Sequence, residues 1–446
     1  MLPTMPPAPH PLTHARRSAP PPAPSPLDGS PLRRPLRGPA LAVVLLALMA
    51  CGALTVAVWI LGTVSQAVDA GPAFYQALGR AMLLTLPALA FLRFLDRRER
   101  EASWVFWSVL AWGAVVATGL ALILSLLGSV ATELGLAMVL GDEALGATAG
   151  GASGGLAQVV ESVFIAPVVE EAVKGLALLL LVWLLADEFD NLRDGLIYGA
   201  LVGLGFNLLE SALYVIYDMV ETGQLAFGPQ LAIRFVFLGL DGHAVYSGLL
   251  GAALGWARQA RGRWRLPTAA AFGLTGAIGA HMLHNSLGVL LLPGLAQAFG
   301  GTLDPADGLV QAVTPVWWLA AAVTALAVNG PAFLLLAIAV WRSGLQERRL
   351  LRAMLAQELS SGSGAVDEAE LAAARAEGIL HLRRAPGLAG ERGRALVLAQ
   401  NELAYRRHRV LLHGGDPATD GKAMAWRARI AGLRGLSPPA EADSKG

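Results

Sequence analysis

Eight stretches of roughly 20 or more mostly apolar residues, near 40–64, 72–93, 104–128, 156–186, 195–217, 231–257, 267–292 and 315–341, leave this chain few ways to fold. A backbone that crosses hydrocarbon must satisfy its own N–H and C=O groups, and a continuous helix does so within one segment. The expected fold is therefore all-α, a polytopic integral membrane bundle of about eight transmembrane helices. Composition supports this, since 55% hydrophobic and 15% charged residues in a chain of 446 exceed what a soluble core needs. With a formal net charge of +1 and its cations in loops and tails, the chain has no basic face for nucleic acid. Its one cysteine, Cys51, lies in the first stretch, so neither a disulfide nor a thiolate metal site forms within one chain.

Cytoplasmic loops carry an excess of Lys and Arg, and that bias orients the bundle. Arg16, Arg17, Arg33, Arg34 and Arg37 precede the first span; Arg93, Arg97, Arg98 and Arg100 lie around the second connection; Arg193 and then Arg258, Arg261, Arg263 and Arg265 mark later inward loops. The loops at 65–71, 129–155, 218–230 and 293–314 contain no Lys or Arg. Both termini are thus expected in the cytoplasm, in a multi-pass protein of the cell membrane. Three domains are expected: a disordered Pro/Arg-rich arm over 1–39, a transmembrane domain over 40–341 with its core at 156–292, and a cytoplasmic tail over 342–446. The tail holds 17 of the 34 Lys and Arg, which again places it inside. Periodic pieces near Leu345–Leu359, Asp367–Ala376 and Ala395–Leu412 predict short amphipathic helices for the membrane surface or a partner.

Ionisable side chains inside apolar stretches are costly and mark function by default. Here they are Glu170, Glu171 and Lys174, then Asn207 with Glu210, then His243, then His281 with Asn285. Lys174 stands out further, because Lys recurs only at Lys422 and Lys445 while Arg supplies the other cations. Residues three or four apart share a helix face, so Glu170 meets Lys174, Asn207 meets Glu210 and His281 meets Asn285. At 1.5 Å rise per residue, Glu170, Glu210, His243 and His281 all fall in the outer half of their spans. A common depth suits one water-filled cavity open to the extracytoplasmic face.

These residue types suit hydrolysis without a nucleophilic side chain. A carboxylate takes a proton from water, a nearby His shares that work or polarises the carbonyl, and Asn285 with a His holds the oxyanion. Lys174 would keep one carboxylate ionised in hydrocarbon. Zinc gives a second reading, because Glu170, His243, His281 and His284 supply enough donors for a three-ligand site. No HExxH spacing occurs, so metal ranks behind the metal-free mechanism, which requires no cofactor.

EExxK at Glu170–Lys174, FNxxE at Phe206–Glu210, a His in the Gly-rich stretch from His243 to Gly255, and HxxxN at His281–Asn285 resemble, in that order, the PrsW family. That family comprises intramembrane proteases distantly similar to the CAAX-processing and bacteriocin-immunity proteases, and the resemblance covers about residues 70–345. It implies endoproteolysis of a single-span membrane protein, typically an anti-sigma factor cut near the outer surface. Carried onto this chain, it makes Glu170 the general base with His243, Glu171 able to exchange with Glu170, and His281 with Asn285 the oxyanion side. Lys174, Asn207 and Glu210 become supports. Members are described as glutamic-type or as metalloproteases; if a metal is held, Glu170, His243 and His281 are its candidate ligands.

Other readings use the same residues. Glu170 and Lys174 also make a structural ion pair, and His243, His281, Asn207 and Glu210 also serve as interhelical hydrogen-bond glue. Arg234 and Arg80 read as side chains snorkelling to the outer interface, and His284 as a bystander. Buried Glu, His and Lys also build proton relays in transporters, but the chain shows no internal repeat of the kind carriers use. A catalytically dead scaffold would not need the motifs intact.

Overall fold

The computed structural model describes residues 38–98, 103–140, 157–185, 189–223, 230–231, 234–259, 262–300, 315–378 and 380–435. The expected arm, apart from its last residues, lies outside this set, as do the loop segments 141–156 and 301–314. Every regular element among the described residues is helical. The described residues divide into two compact units, one running to residue 349 and the other starting at residue 350.

In the first unit, helices α1 (Gly38–Val64), α2 (Ala70–Leu95), α3 (Ser103–Ala111) and α4 (Thr118–Leu140) come first, with a π-helical segment at Trp112–Ala117 joining α3 to α4. A second π segment, Glu161–Ile165, opens onto α5 (Ala166–Leu184). Then follow α6 (Leu192–Thr222), α7 (His243–Arg258), α8 (Arg265–Ala298) and α9 (Pro315–Ser360). Among the described residues, six helical stretches are long and apolar enough to cross a membrane: those at Val43–Val64, Ala70–Leu95, Ser103–Val139, Leu192–Val220, Arg265–Gly288 and Pro315–Ser360.

The expected spans at 156–186 and 231–257 do not join these six, for a physical reason in each case. Glu170, Glu171 and Lys174 make α5 too charged, and α7 has only 16 residues. The chain before α7 breaks instead of continuing as helix. Phe237 (φ 52°) and Leu238 (φ 64°) adopt left-handed backbone that side chains disfavour, and Gly239 (φ 77°) and Gly242 (φ 67°) complete the turn without that cost. His243 is therefore the first residue of its helix and not several turns inside one.

Helix α6 sits at the centre and is buried along nearly all of its apolar length. Asn191 and Asp194 start it with a reciprocal capping box, and Gly223 stops it in a left-handed C-cap. Gly195, Gly199 and Gly203 recur every fourth residue, so they line one face. On that face the backbone of α6 lies directly against α7: Gly195 against the Gly251 carbonyl, Gly199 against that of Ser247, Gly203 against that of His243. Gly251 and Gly255 answer from the α7 side, against Gly195 and Asn191. Around this seam pack Phe106 of α3, Leu178 of α5 and Leu250 of α7, with Phe333 and Leu336 of α9 at its edge. At one end of the unit, Glu347 of α9 pairs with Arg193 at 2.6 Å and with Arg98 at 3.5 Å.

The second unit contains the end of α9 and helices α10 (Glu368–Ala376), α11 (Gly390–Leu412) and α12 (Gly421–Arg434). The three predicted helical pieces coincide with the end of α9, α10 and α11. Helix α12 is an addition whose weak apolar periodicity hid it. Leu351, Leu355, Leu371 and Ala404 form one apolar cluster, and Leu396, Leu403, Ala423 and Ile430 a second. Glu358, 1% exposed, accepts from Arg407 at 2.7 Å and from Arg427 at 2.6 Å.

Asp420 caps α12 by accepting from the Ala423 N–H at 2.9 Å, and it receives both arms of Arg406. The Arg406 guanidinium holds this carboxyl down at about 2, below its ordinary 3.8. A group depressed in the folded state stabilises fully above its ordinary value and loses that contribution as pH falls toward the lower one. Pepsin cleavage within residues 350–435 is accordingly expected to accelerate between pH 4 and pH 2. Asp420→Asn, which keeps a capping oxygen but not the charge, should flatten that dependence.

Candidate functional site

Four helices bring the intramembrane polar residues together. Glu170, Glu171 and Lys174 project from α5, Glu210 from α6, His243 from the first position of α7 and His281 from α8. All are buried, Glu171 and Lys174 completely. The Lys174 ammonium donates to Glu171 Oε1 at 2.9 Å and Glu170 Oε2 at 3.2 Å, and lies 2.8 Å from His243 Nδ1. An ammonium has donors only, so His243 Nδ1 accepts and the ring proton sits on Nε2, which donates to Glu210 Oε2 at 2.8 Å. His281 Nδ1 donates to Glu171 Oε1 at 3.2 Å, and Ser247 Oγ donates to Glu171 Oε2 at 3.3 Å.

Aromatic rings wall the cluster. Lys174 Nζ stands 3.7 Å from the Phe206 ring centroid, a cation–π contact in a dry setting. Tyr246, one turn after His243 on α7, stacks on His281 with centroids 4.9 Å apart and planes 17° from parallel. His243 and His281 meet edge to face at 4.9 Å.

The two carboxylates of the doublet differ in use. Glu171 accepts from Lys174, His281 and Ser247 and is wholly enclosed, whereas Glu170 accepts from Lys174 and keeps 9% of its side chain exposed. Glu170 also lies 3.7 Å from His243 Nδ1. Glu171 is thus the more fully bonded of the two, and Glu170 the one that keeps some exposure.

Asn207 and Asn285 stand apart from the cluster. The Asn207 amide donates to the Arg234 carbonyl at 3.0 Å, and Arg234 Nε in turn reaches Glu210 Oε2 at 3.4 Å. Arg234 is thus tied to the site's own carboxylate and does not simply snorkel. Asn285, one turn beyond His281, donates its amide to the Ser162 carbonyl at 2.8 Å. Ser162 lies in the π segment before α5, a type of helical irregularity frequent at functional sites. His284 contacts Asn329 of α9 at 3.3 Å, and Asn329 donates to Asp241 at 2.7 Å. Asp241 therefore faces α9 and does not orient His243.

The donor set also suits a metal ion. Glu170, Glu171, His243 and His281 each offer one ligand atom, and these atoms lie within 4.8 Å of one another. Two carboxylates and two imidazoles are the donors that catalytic zinc sites use. Glu171 enters this set although the sequence pointed to Glu170, His243 and His281; His284 does not. Charge favours a cation too, because three carboxylates, Glu170, Glu171 and Glu210, face Lys174 and Arg234.

The family model for PrsW family intramembrane metalloproteases matches residues 101–323, which contain every residue of this cluster. The chain belongs to the PrsW family. A protein named Protease PrsW from Geobacillus kaustophilus (strain HTA426) is 39% identical over 74 residues. That match covers 17% of this chain and 29% of the relative, so the chain spans under a third of the relative it matches. No solved structure matches the chain.

Sequence reasoning missed Ser247, Tyr246 and the pairing of Arg234. Ser247 lies four residues after His243 and shares its face, so helical spacing alone would have found it. Tyr246 sits three residues after His243, the same signal. The Arg234 contact depends on the irregular backbone before α7, for which the sequence offers only Gly239 and Gly242.

Proposed function

We propose that this PrsW family member is an intramembrane endopeptidase that hydrolyses a peptide bond of a membrane-anchored protein. The observation that carries this reading is Glu170: a buried carboxylate with residual exposure and one hydrogen bond, beside a fully bonded Glu171. Glu170 takes a proton from water, and the oxygen so activated attacks the scissile carbonyl carbon. The tetrahedral oxyanion collapses, the C–N bond breaks, and the leaving amine takes the proton back from Glu170. His243, bonded to Lys174 on one ring nitrogen and to Glu210 on the other, stands 3.7 Å from Glu170 and fixes the wall beside that water. Glu171 holds His281 and Lys174 in place, and Ser247 fixes Glu171.

The oxyanion needs N–H donors that are not already spent. Asn285 serves by exchanging the Ser162 carbonyl for the substrate's, and His281 by turning from Glu171. Substrate binding thus loosens the π segment before α5 as it engages the site. The substrate segment must unwind locally first, because a helical peptide bond buries its carbonyl in its own ladder. We place both termini in the cytoplasm and the protein in the cell membrane, on the Arg asymmetry of the loops. The cut then falls in the outer half of the bilayer, in a single-span protein such as an anti-sigma factor.

The second reading keeps the same residues and adds a divalent ion held by Glu170, Glu171, His243 and His281, as the family description suggests. Such an ion would supply Lewis acidity to the carbonyl and acidify a bound water. Incubating the purified protein with a panel of single-span membrane proteins, with and without a chelator, separates the readings. Cleavage that survives the chelator and is lost in Glu170→Gln is the expected result. Cleavage abolished by chelator and restored by zinc would move these residues into a metal site. Failure to cut any panel member would count against the peptidase itself.

A further inference from the structure

Lys174 Nζ lies 2.9 Å from Glu171 Oε1, 3.2 Å from Glu170 Oε2 and 2.8 Å from His243 Nδ1. These are three of the four residues whose ligand atoms gather within 4.8 Å, and the fourth, His281, bonds the same Glu171 oxygen as Lys174. A single cation that collects two carboxylate oxygens and an imidazole lone pair stands where a metal ion would stand in this donor set. It does so at hydrogen-bond length instead of the roughly 2.0–2.2 Å of coordination. We propose that Lys174 is the resident cation of the cluster, and that its ammonium and a divalent metal ion are alternative occupants of the same donors.

Space and charge both argue for exclusion. An ion bonded to these atoms would sit within a few ångströms of Nζ, and two cations at that separation repel strongly in a site shielded from water. The lone pair on His243 Nδ1 points at Nζ and cannot serve both. Lys174 is also held from behind, since Phe206 presents its ring face at 3.7 Å. Loading an ion therefore requires the flexible four-carbon stem to swing Nζ off His243 and away from that ring. This chain's affinity for metal is then set less by its ligands than by the side chain already among them. The inference rests on the donors being able to bind an ion, the second reading above, and does not depend on which reading describes catalysis.

The test uses the full-length chain, purified in detergent and stripped with chelator, as wild type, Lys174→Met and Lys174→Arg. Zn²⁺ affinity is measured by competition with a chromophoric chelator, and Co²⁺ absorption reports the ligand field. Lys174→Met, of similar length but uncharged, is expected to bind one Zn²⁺ per chain at least tenfold more tightly than wild type and to give a tetrahedral Co²⁺ spectrum. Lys174→Arg, still a cation, is expected to bind no more tightly than wild type. Equal or weaker binding by Lys174→Met overturns the proposal, as does an Arg variant as tight as the Met one. Should Lys174→Met elute as aggregate, Lys174→Gln takes its place with the same expectations. Absence of Zn²⁺ binding in every variant also overturns it, while cleavage by the metal-free wild type would show the peptidase reading standing without it.

Discussion

Replacing Glu170 with Gln is expected to cut the rate of peptide hydrolysis by about 10²–10⁴-fold while leaving the bundle nearly as stable as before; replacing Glu171 with Gln is expected to cost both. The doublet looks symmetric as sequence, but its two members carry different loads. Glu170 accepts one hydrogen bond, from Lys174, and keeps part of its surface exposed. A Gln there still fills the space and still accepts from Lys174, so the loss is confined to proton transfer. Glu171 accepts from Lys174, His281 and Ser247 at zero exposure. Its removal strips a buried ammonium of its nearest counter-charge, a class of change that costs about 3–5 kcal/mol. Cleavage rate and thermal unfolding measured on the same detergent preparations check the split. A Glu170→Gln protein that still cleaves, beside a Glu171→Gln protein that is inactive yet unfolds at the wild-type temperature, would exchange the two roles.

How much of this was legible follows from what fixes each feature. Helical periodicity places residues on faces, so the pairing of Glu170 with Lys174 could be read directly, and the apolar setting of Glu210, His243 and His281 marked them as partners, although His243 opens a short helix and does not lie within a span. The span boundaries for α2 and α6 also came close, because hydrophobicity ends where the bilayer does. Contacts between helices were not legible in the same way. Asn207 and Glu210 share a face as expected, yet Asn207 spends its amide on the Arg234 backbone, and Glu210 binds both Arg234 and His243. These pairings depend on the chain leaving helix before α7. Phe237 and Leu238 in left-handed backbone are residues that sequence rules place in a continuous apolar helix, and only tertiary packing overrides them. Asn285 illustrates the same limit: its i, i+4 relation to His281 was visible, while the π-segment carbonyl that captures its amide was not.

Gly203→Ala is the substitution outside the polar cluster with the largest expected effect. Nothing about Gly203 is chemical, but its Cα face lies against the backbone carbonyl of His243, so an added methyl collides with main chain and not with a side chain that can turn away. The only relief is to push the start of α7 off α6. Overpacking of this kind costs about 1–3 kcal/mol. The functional penalty should be larger than the stability penalty, because the residue displaced is His243, which links Glu210 on one ring nitrogen to Lys174 on the other. A shift of about 1 Å in a positioned group lowers rates by roughly 10²-fold. Gly276→Ala on α8 is the control, since a methyl there meets nothing within 4 Å, and it should leave both unfolding and cleavage near wild type. Cleavage rates and unfolding temperatures of the two variants decide the matter. If Gly203→Ala cleaves as fast as Gly276→Ala, close packing of α6 on α7 is not what holds His243 in the site.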